Sequence, residues 1–164
     1  MGAALRAAVA SALAGDASWA APGAVSWVES TGSTNADLVA VGQRARAEPA
    51  PIAARMLRMA HRQTGGRGRL ARGWSTPPEA GFALSLGFAL PLAPAALSGF
   101  ALVCGLAVHT VLQALGAPVR LKWPNDVLGP DGRAKLGGIL VEIVQLDAGR
   151  TWVVVGIGLN LRAG

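Results

Sequence analysis

The sequence predicts a single α/β or α+β domain, and three observations carry that prediction. Its 164 residues are the length of one ordinary domain and leave little room for two. An apolar share of 52%, with a mean hydropathy of +0.42, supplies a core and excludes a disordered chain. Strand-like and helix-like runs alternate along the chain. Charged residues make up 15% of it, too few for a coiled coil. Fifteen Lys and Arg against nine Asp and Glu give a net charge of +6, which suits anionic partners. Cys104 is the single cysteine. An intramolecular disulfide and a Cys-based zinc site are therefore excluded, and the count suits a reducing compartment.

Residues 1–24 read as an Ala-rich N-terminal arm or helix. Residues 1–20 resemble a signal peptide only faintly, because the run is Ala rather than Leu and Asp16 and Trp19 interrupt it. Pro22 and Gly23 punctuate the chain, and residues 25–28 alternate as a short strand does. A turn over 30–35 follows, and Thr34 with Asp37 three residues on reads as a capping box opening a helix through Leu38, Val39 and Arg44. Glu48-Pro49-Ala50-Pro51 ends that helix. Residues 52–61 fit either period, and the alternation of Leu57 and Met59 with polar neighbours favours a strand. A basic, Gly-rich loop covers 62–74, followed by Thr76-Pro77-Pro78 and an apolar strand over 82–90 suited to the sheet interior.

Residues 95–115 are long enough to cross a bilayer. Ser98, His109 and Gln113 interrupt them, however, and no Lys or Arg adjoins either end. With Pro94 in the first turn and Gly116 as the stop, the stretch reads as one helix buried against the sheet. Residues 119–122 form a short strand entering the turn Trp123-Pro124-Asn125-Asp126, and Gly129-Pro130-Asp131-Gly132 makes another turn. Residues 135–146 and 151–159 flank Asp147-Ala148-Gly149-Arg150 as a β-hairpin.

The densest chemistry lies in Gln63-Thr64-Gly65-Gly66-Arg67-Gly68-Arg69, with Arg72 and Trp74 just beyond. Glycines let the backbone approach a ligand and offer N–H donors, and Arg supplies a fixed fork for carboxylate or phosphate. The loop is neither a Walker A loop nor a dinucleotide fingerprint. An anion-binding loop follows from that chemistry, and by composition alone a solvated basic loop or an RNA-contacting Arg-Gly segment competes with it on equal terms. Lys122-Trp123-Pro124-Asn125-Asp126 then places a cation, an aromatic plate and two polar side chains within one turn. Lys135 opens a strand ahead of Gly137 and Gly138, which leave room for a ligand, and Glu142 and Gly156-Ile157-Gly158-Leu159-Asn160 add a carboxylate and an amide.

Together these residues resemble the biotin protein ligases, enzymes that attach biotin to a Lys of carboxylase carrier domains. Ser33-Thr34-Asn35, Gln63 with 66–69, 122–126, 135–142 and 156–160 stand in that family's order and approximate spacing over residues 25–160. The resemblance implies an α+β fold, a mixed β-sheet backed by helices, shared with lipoyl ligases. It implies an ATP- and Mg²⁺-dependent enzyme of the cytoplasm that makes biotinyl-5′-AMP and passes biotin to a biotin carboxyl carrier domain. Ser33 and Thr34 would bond the biotin ureido group and Gln63 would complete its recognition, with Asn35, Gly66, Arg67, Gly68, Arg69, Lys135 and Gly138 also on the biotin side. Arg72, Trp74, Asn125, Lys135 and Asn160 would serve ATP, with Trp74 packed beneath the closed loop. Lys135, Arg69 and Asp126 would be catalytic, Lys135 bridging the biotin carboxylate and the α-phosphate and Asp126 helping the carrier Lys. No protein-bound metal and no membrane contact are implied, and a homodimer is allowed.

The chain departs from the family in reading Leu70-Ala71 where Arg-Gly is frequent. Family members also continue past the position of Asn160, so the expectation for 25–164 is a catalytic domain incomplete at its C-terminus, with no helix-turn-helix segment ahead of Ser33. The alternatives are a lipoate ligase, disfavoured because that branch resembles an Arg-Ser-Gly-Gly-Gly loop, and an RNA-binding module, which would want interleaved aromatics. Plain structural readings cover the rest. Cys104 and His109 are expected in the core, His61 at a strand end, and Trp19, Trp27 and Trp152 in packing. Glu142 reads equally as a ligand contact or as the partner of a buried donor.

Overall fold

The computed structural model describes residues 2–48, 53–75 and 81–160. Its elements are helix α1 (Gly2–Leu13), strand β1 (Val25–Thr31), helix α2 (Thr34–Ala47), strands β2 (Arg55–Gln63) and β3 (Gly81–Leu90), helix α3 (Phe100–Ala114), and strands β4 (Arg120–Lys122), β5 (Asp126–Leu128), β6 (Lys135–Gln145) and β7 (Thr151–Asn160). The seven strands make one mixed sheet in the order β1-β2-β3-β7-β6-β5-β4. Only β1 and β2 run parallel. Parallel neighbours need a crossover. Helix α2 provides it and is thereby laid across one face of the sheet.

Alternation along the strands sorts the core into two layers. On the α2 face, Leu38 packs with Val144, Trp152 and Val154. On the opposite face, Phe100, Cys104 and Val108 of α3 pack on Ile139, Val153 and Val155. Strand β7 feeds both layers, which is why 152–155 is uninterruptedly apolar. Trp152 is fully buried, and its Nε1 donates to the Leu38 carbonyl at 2.9 Å. Its indole sits between Gly42 of α2 and Gly87 of β3, where a Cβ at either position would overlap the ring.

The strands over 25–28, 52–61, 82–90 and 119–122 and the hairpin of 135–159 are found as β1, β2, β3, β4 and β6–β7, with boundaries moved by a few residues. The proline-rich stop at 49–51 and Thr76-Pro77-Pro78 lie outside the described residues. Four expectations are corrected. The cap of α2 is Ser33, whose extended backbone lets its Oγ accept from the Ala36 N–H at 3.4 Å. Thr34 is already inside the helix. Asp37 closes no capping box, because it accepts instead from Thr31 Oγ1 at 2.9 Å and Arg58 Nε at 2.9 Å. Strand β5 went unread because three residues carry no period.

The third correction concerns the apolar stretch Pro94–Ala114, with hydropathy 1.9 over a span-length window. It is not one helix: a 3-10 turn over Pro94–Leu97 is separated from α3 by Gly99, at φ 79°. Nor is α3 buried as a whole, because the sheet covers one stripe and Val103, Leu106 and Val111 stay 62%, 61% and 58% exposed. The fourth concerns His109, which lies on a partly exposed side of α3 within 3.3 Å of Gln113 Nε2 rather than in the core. The Trp27 and His61 rings meet at a tilt of 59°, with centroids 4.9 Å apart.

The Trp152 slot is testable. Gly87→Ala is expected to cost about 1–3 kcal/mol by overpacking, or roughly 2–4 °C of Tm per kcal/mol. Gly149→Ala, where an added Cβ meets nothing within 4 Å, should stay within about 0.5 kcal/mol of the parent. Thermal unfolding followed by circular dichroism compares them, and equal melting of the two variants would contradict the slot.

Candidate active site

The first turn of α2 is polar yet buried: Ser33, Thr34 and Asn35 are each below 5% exposed. Buried polar groups need partners, and three strands supply them. Gln63, at the end of β2, accepts through Oε1 from the Thr34 N–H at 2.8 Å and from Thr34 Oγ1 at 3.1 Å. Ser85, fully buried on β3, places its Oγ 2.8 Å from Thr34 Oγ1 and 2.5 Å from Asn35 Oδ1. Asn35 Nδ2 donates to the Leu140 carbonyl at 3.2 Å and to Glu142 Oε2 at 2.9 Å on β6.

Beside this cluster the sheet loses its side chains. Gly156 and Gly158 of β7, Gly138 of β6 and Ala83 of β3 line one cavity. A Cβ on Gly156 would overlap the Asn35 amide and one on Gly158 the Trp74 indole, so the bare floor is required for both to lie against the sheet. Trp74 rests over Gly138 and Gly158, and Lys135 Nζ lies 5.6 Å from its ring centroid.

The loop over 64–74 folds back as a small hairpin. Gly65 N–H donates to the Gly32 carbonyl at 2.8 Å, Gly68 N–H to Arg72 at 2.7 Å and Trp74 N–H to Gly66 at 2.8 Å. Leu70 and Ala71 at its tip hold φ 55° and 58°. For side-chain-bearing residues this left-handed backbone costs about 1–2 kcal/mol each. Arg67 Nη2 meets Glu142 Oε2 at 2.9 Å, and Arg69 Nη1 meets Asn125 Oδ1 at 3.4 Å. Asn125 is itself held by β6, exchanging backbone and side-chain bonds with Ile139 at 2.9 and 3.0 Å. Lys135 Nζ pairs with Asp126 Oδ1 at 2.7 Å.

The resulting cavity has a volume of ≈ 340 Å³, within the usual range for a small-molecule site. Five cations line it, Arg67, Arg69, Arg72, Lys122 and Lys135, against one carboxylate, Asp126. The lining also carries neutral hydrogen-bonding groups, Ser33, Thr34 and Gln63. Such an arrangement suits a ligand with a neutral hydrogen-bonding head and an anionic tail, with room for phosphate beside the tail.

Of the residues expected at a site, Ser33, Thr34, Asn35, Gln63, Arg67, Gly68, Arg69, Arg72, Trp74, Asn125, Asp126, Lys135 and Gly138 all border this cavity. Two do not. Gly66 sits behind the lining, where a Cβ would overlap the Trp74 carbonyl. Asn160 ends β7 opposite Gly81, and its Oδ1 is buried without a hydrogen-bond partner among the described residues. Reading the sequence missed Ser85 and Ala83, and it placed Lys122, Gly156 and Gly158 within motifs without giving them a role of their own. The Gly-x-Gly spacing in a strand, which puts both glycines on one face, was the available signal for the floor. A lone hydroxyl in an apolar interior strand was the signal for Ser85. Cys104 lies outside the cavity, and burial pushes its thiol pKa up, away from nucleophilic use.

Residues 31–160 match the model of the biotin/lipoate A/B protein ligase family. The chain is 41% identical over 139 residues to the biotin–[acetyl-CoA-carboxylase] ligase of Mycobacterium tuberculosis, covering 82% of this chain and 48% of that protein. It is 42% identical over 104 residues to the bifunctional ligase/repressor BirA of Escherichia coli, covering 63% of this chain and 32% of that one. The chain thus spans about half the length or less of these curated relatives. Among solved structures, the biotin protein ligase of Leishmania major in complex with biotinyl-5-AMP superposes with a TM-score of 0.61 at 29% identity, covering 85% of this chain and 58% of that one. The match runs from the end of β1 to the end of β7 and takes in every element that borders the cavity, so this chain belongs to the biotin/lipoate A/B protein ligase family.

Proposed function

We propose that this chain activates biotin with ATP and delivers it to a lysine of a biotin carboxyl carrier domain, in the cytoplasm. The observation that carries the reading is the make-up of one cavity, whose lining combines neutral hydroxyls and an amide with five cations. The ureido head of biotin takes Ser33, Thr34 and Gln63, its bicyclic body lies on the glycine floor, and its carboxylate reaches Lys135. In the first step a carboxylate oxygen attacks the α-phosphorus of ATP, an O–P bond forms, and pyrophosphate leaves. Two anions must meet, so the groups that matter are those neutralising charge as the bond forms. Lys135 stands between carboxylate and α-phosphate, and Arg69, Arg72 and Lys122 face the phosphates. In the second step the carrier amine attacks the mixed anhydride, an amide forms and AMP leaves. Asp126, released when Lys135 turns to the ligand, takes the proton of the carrier ammonium.

Mg²⁺ fits as a companion of ATP rather than as a resident ion. Asp126 is the one acidic residue among those lining the cavity, and no group of three or more His, Cys, Asp or Glu among the described residues could cage a metal. Mg²⁺ commonly binds this way, through substrate phosphates with few protein ligands, and would supply charge neutralisation on the leaving pyrophosphate.

Biotin-dependent ATP–pyrophosphate exchange by the purified chain tests the reading. Exchange with biotin and not with lipoate is expected, and exchange with lipoate alone would overturn it. Lys135→Ala should slow single-turnover adenylate formation by about 10²- to 10³-fold, the scale of one lost transition-state donor, with little change in Tm. Lys135→Arg should not restore it, because a planar fork does not replace a compact ammonium between two ligand groups. An unimpaired rate in folded Lys135→Ala would remove Lys135 from the mechanism. Arg69→Ser, which loses the contact with Asn125, should release biotinyl-adenylate and label lysines of bystander proteins. Labelling confined to a carrier domain would contradict that role.

A further inference from the structure

Glu142 does not border the cavity, yet one of its oxygens joins the two parts of the site. Oε2 accepts from Asn35 Nδ2 at 2.9 Å on the buried side and from Arg67 Nη2 at 2.9 Å on the loop side. The Asn35 amide is fully engaged inside the protein, its nitrogen by Leu140 and Glu142 and its oxygen by Ser85. It has no donor to spare for a ligand. The Arg67 guanidinium is likewise engaged, its Nη2 donating to Glu142. Continuous contacts thus run from Gln63 through Thr34, Ser85, Asn35 and Glu142 to Arg67, linking the buried polar cluster to the loop over 64–74.

We propose that Glu142 is a positioning residue, a latch that docks Arg67 and so sets the closure of the 64–74 loop over the biotin site, with Asn35 holding its carboxylate in place. An ordinary exposed ion pair contributes little. This one differs because the carboxylate side chain is only 27% exposed and is oriented by a second, buried donor. The latch also has a cost to offset, since the loop tip holds Leu70 and Ala71 in the left-handed region. Arg67 on Glu142 of β6 and Arg69 on Asn125, in the turn between β4 and β5, are side-chain contacts of the loop that oppose this cost. The substrate consequence rests on the biotin reading above, whereas the latch itself does not.

The test uses the full chain and two readouts. Tryptic cleavage after Arg69 and Arg72, sites that the parent and every variant keep, reports loop opening without ligand, and biotin KM and kcat in pyrophosphate exchange report the consequence. Glu142→Gln keeps the shape and loses the charge. It is expected to cleave several-fold faster and to raise biotin KM about tenfold, the scale of one charge-assisted hydrogen bond, with kcat and Tm nearly unchanged. Arg67→Gln, on the exposed loop, removes the same pair without touching the sheet and should reproduce the faster cleavage even if the Glu142 variant folds poorly. Cleavage after Arg69 and Arg72 of Glu142→Gln and Arg67→Gln at the parental rate would overturn the latch. The cleavage readout needs no substrate. A chain without biotin-dependent exchange whose loop still responds to Glu142 would sink the biotin reading alone, and normal exchange with an unresponsive loop would sink the latch alone.

Discussion

The structure turns on the need to satisfy a polar helix terminus that has been buried. The first turn of α2 carries Ser33, Thr34 and Asn35 into the protein, where each orphaned polar group would cost about 1–3 kcal/mol. Their partners are spread over β2, β3 and β6 as Gln63, Ser85 and Glu142. The helix can therefore sit in only one place on the sheet. Its position in turn requires that β7 carry no side chain at Gly156, where Asn35 lies against the strand. The cluster that anchors the helix and the bare floor beside it are one arrangement.

That arrangement separates the jobs of the site. The buried cluster is neutral and rigid because its hydrogen bonds close on one another, a situation in which low local dielectric strengthens each bond. The charge is supplied from more exposed segments: the loop over 64–74, the turn between β4 and β5, and the start of β6. Lys135 rests on Asp126 at 2.7 Å and near the face of Trp74, so an anion entering the cavity meets a lysine already oriented by its surroundings. The loop is built from main-chain bonds around a strained tip and meets β6 and the β4–β5 turn through Arg67 and Arg69, and the sheet floor through Trp74. Segments of this kind have low local stability and serve as movable covers.

Much of this was legible in the sequence, for reasons that differ by element. Strand β3 and the β6–β7 hairpin were readable because their apolar runs are bounded by turn residues. The site residues were readable because the five motifs stand in a recognisable order, and thirteen of those expected border one cavity. What escaped depends on contacts between residues distant in sequence. Asp37 looked like a capping partner for Thr34, but Arg58 of β2, 21 residues away, competes for its carboxylate. Ser85 gave no sign of its role because its partners lie 50 and 51 residues earlier. Hydropathy alone could not show that the sheet covers only one side of α3, nor that Gly99 would separate the helix from its leading turn.

The central claim is that a buried polar cluster and a side-chain-free floor together form a biotin site. Calorimetric unfolding of the full chain titrated with biotin alone tests it most directly, because a ligand that binds only the folded state must stabilise it. At about one hundred times the dissociation constant the stabilisation is about 2.7 kcal/mol, which for a chain of this size raises Tm by roughly 5–10 °C. A single cooperative transition that rises with biotin concentration on that scale is the predicted result. A Tm that stays unchanged up to the solubility limit of biotin would contradict the account.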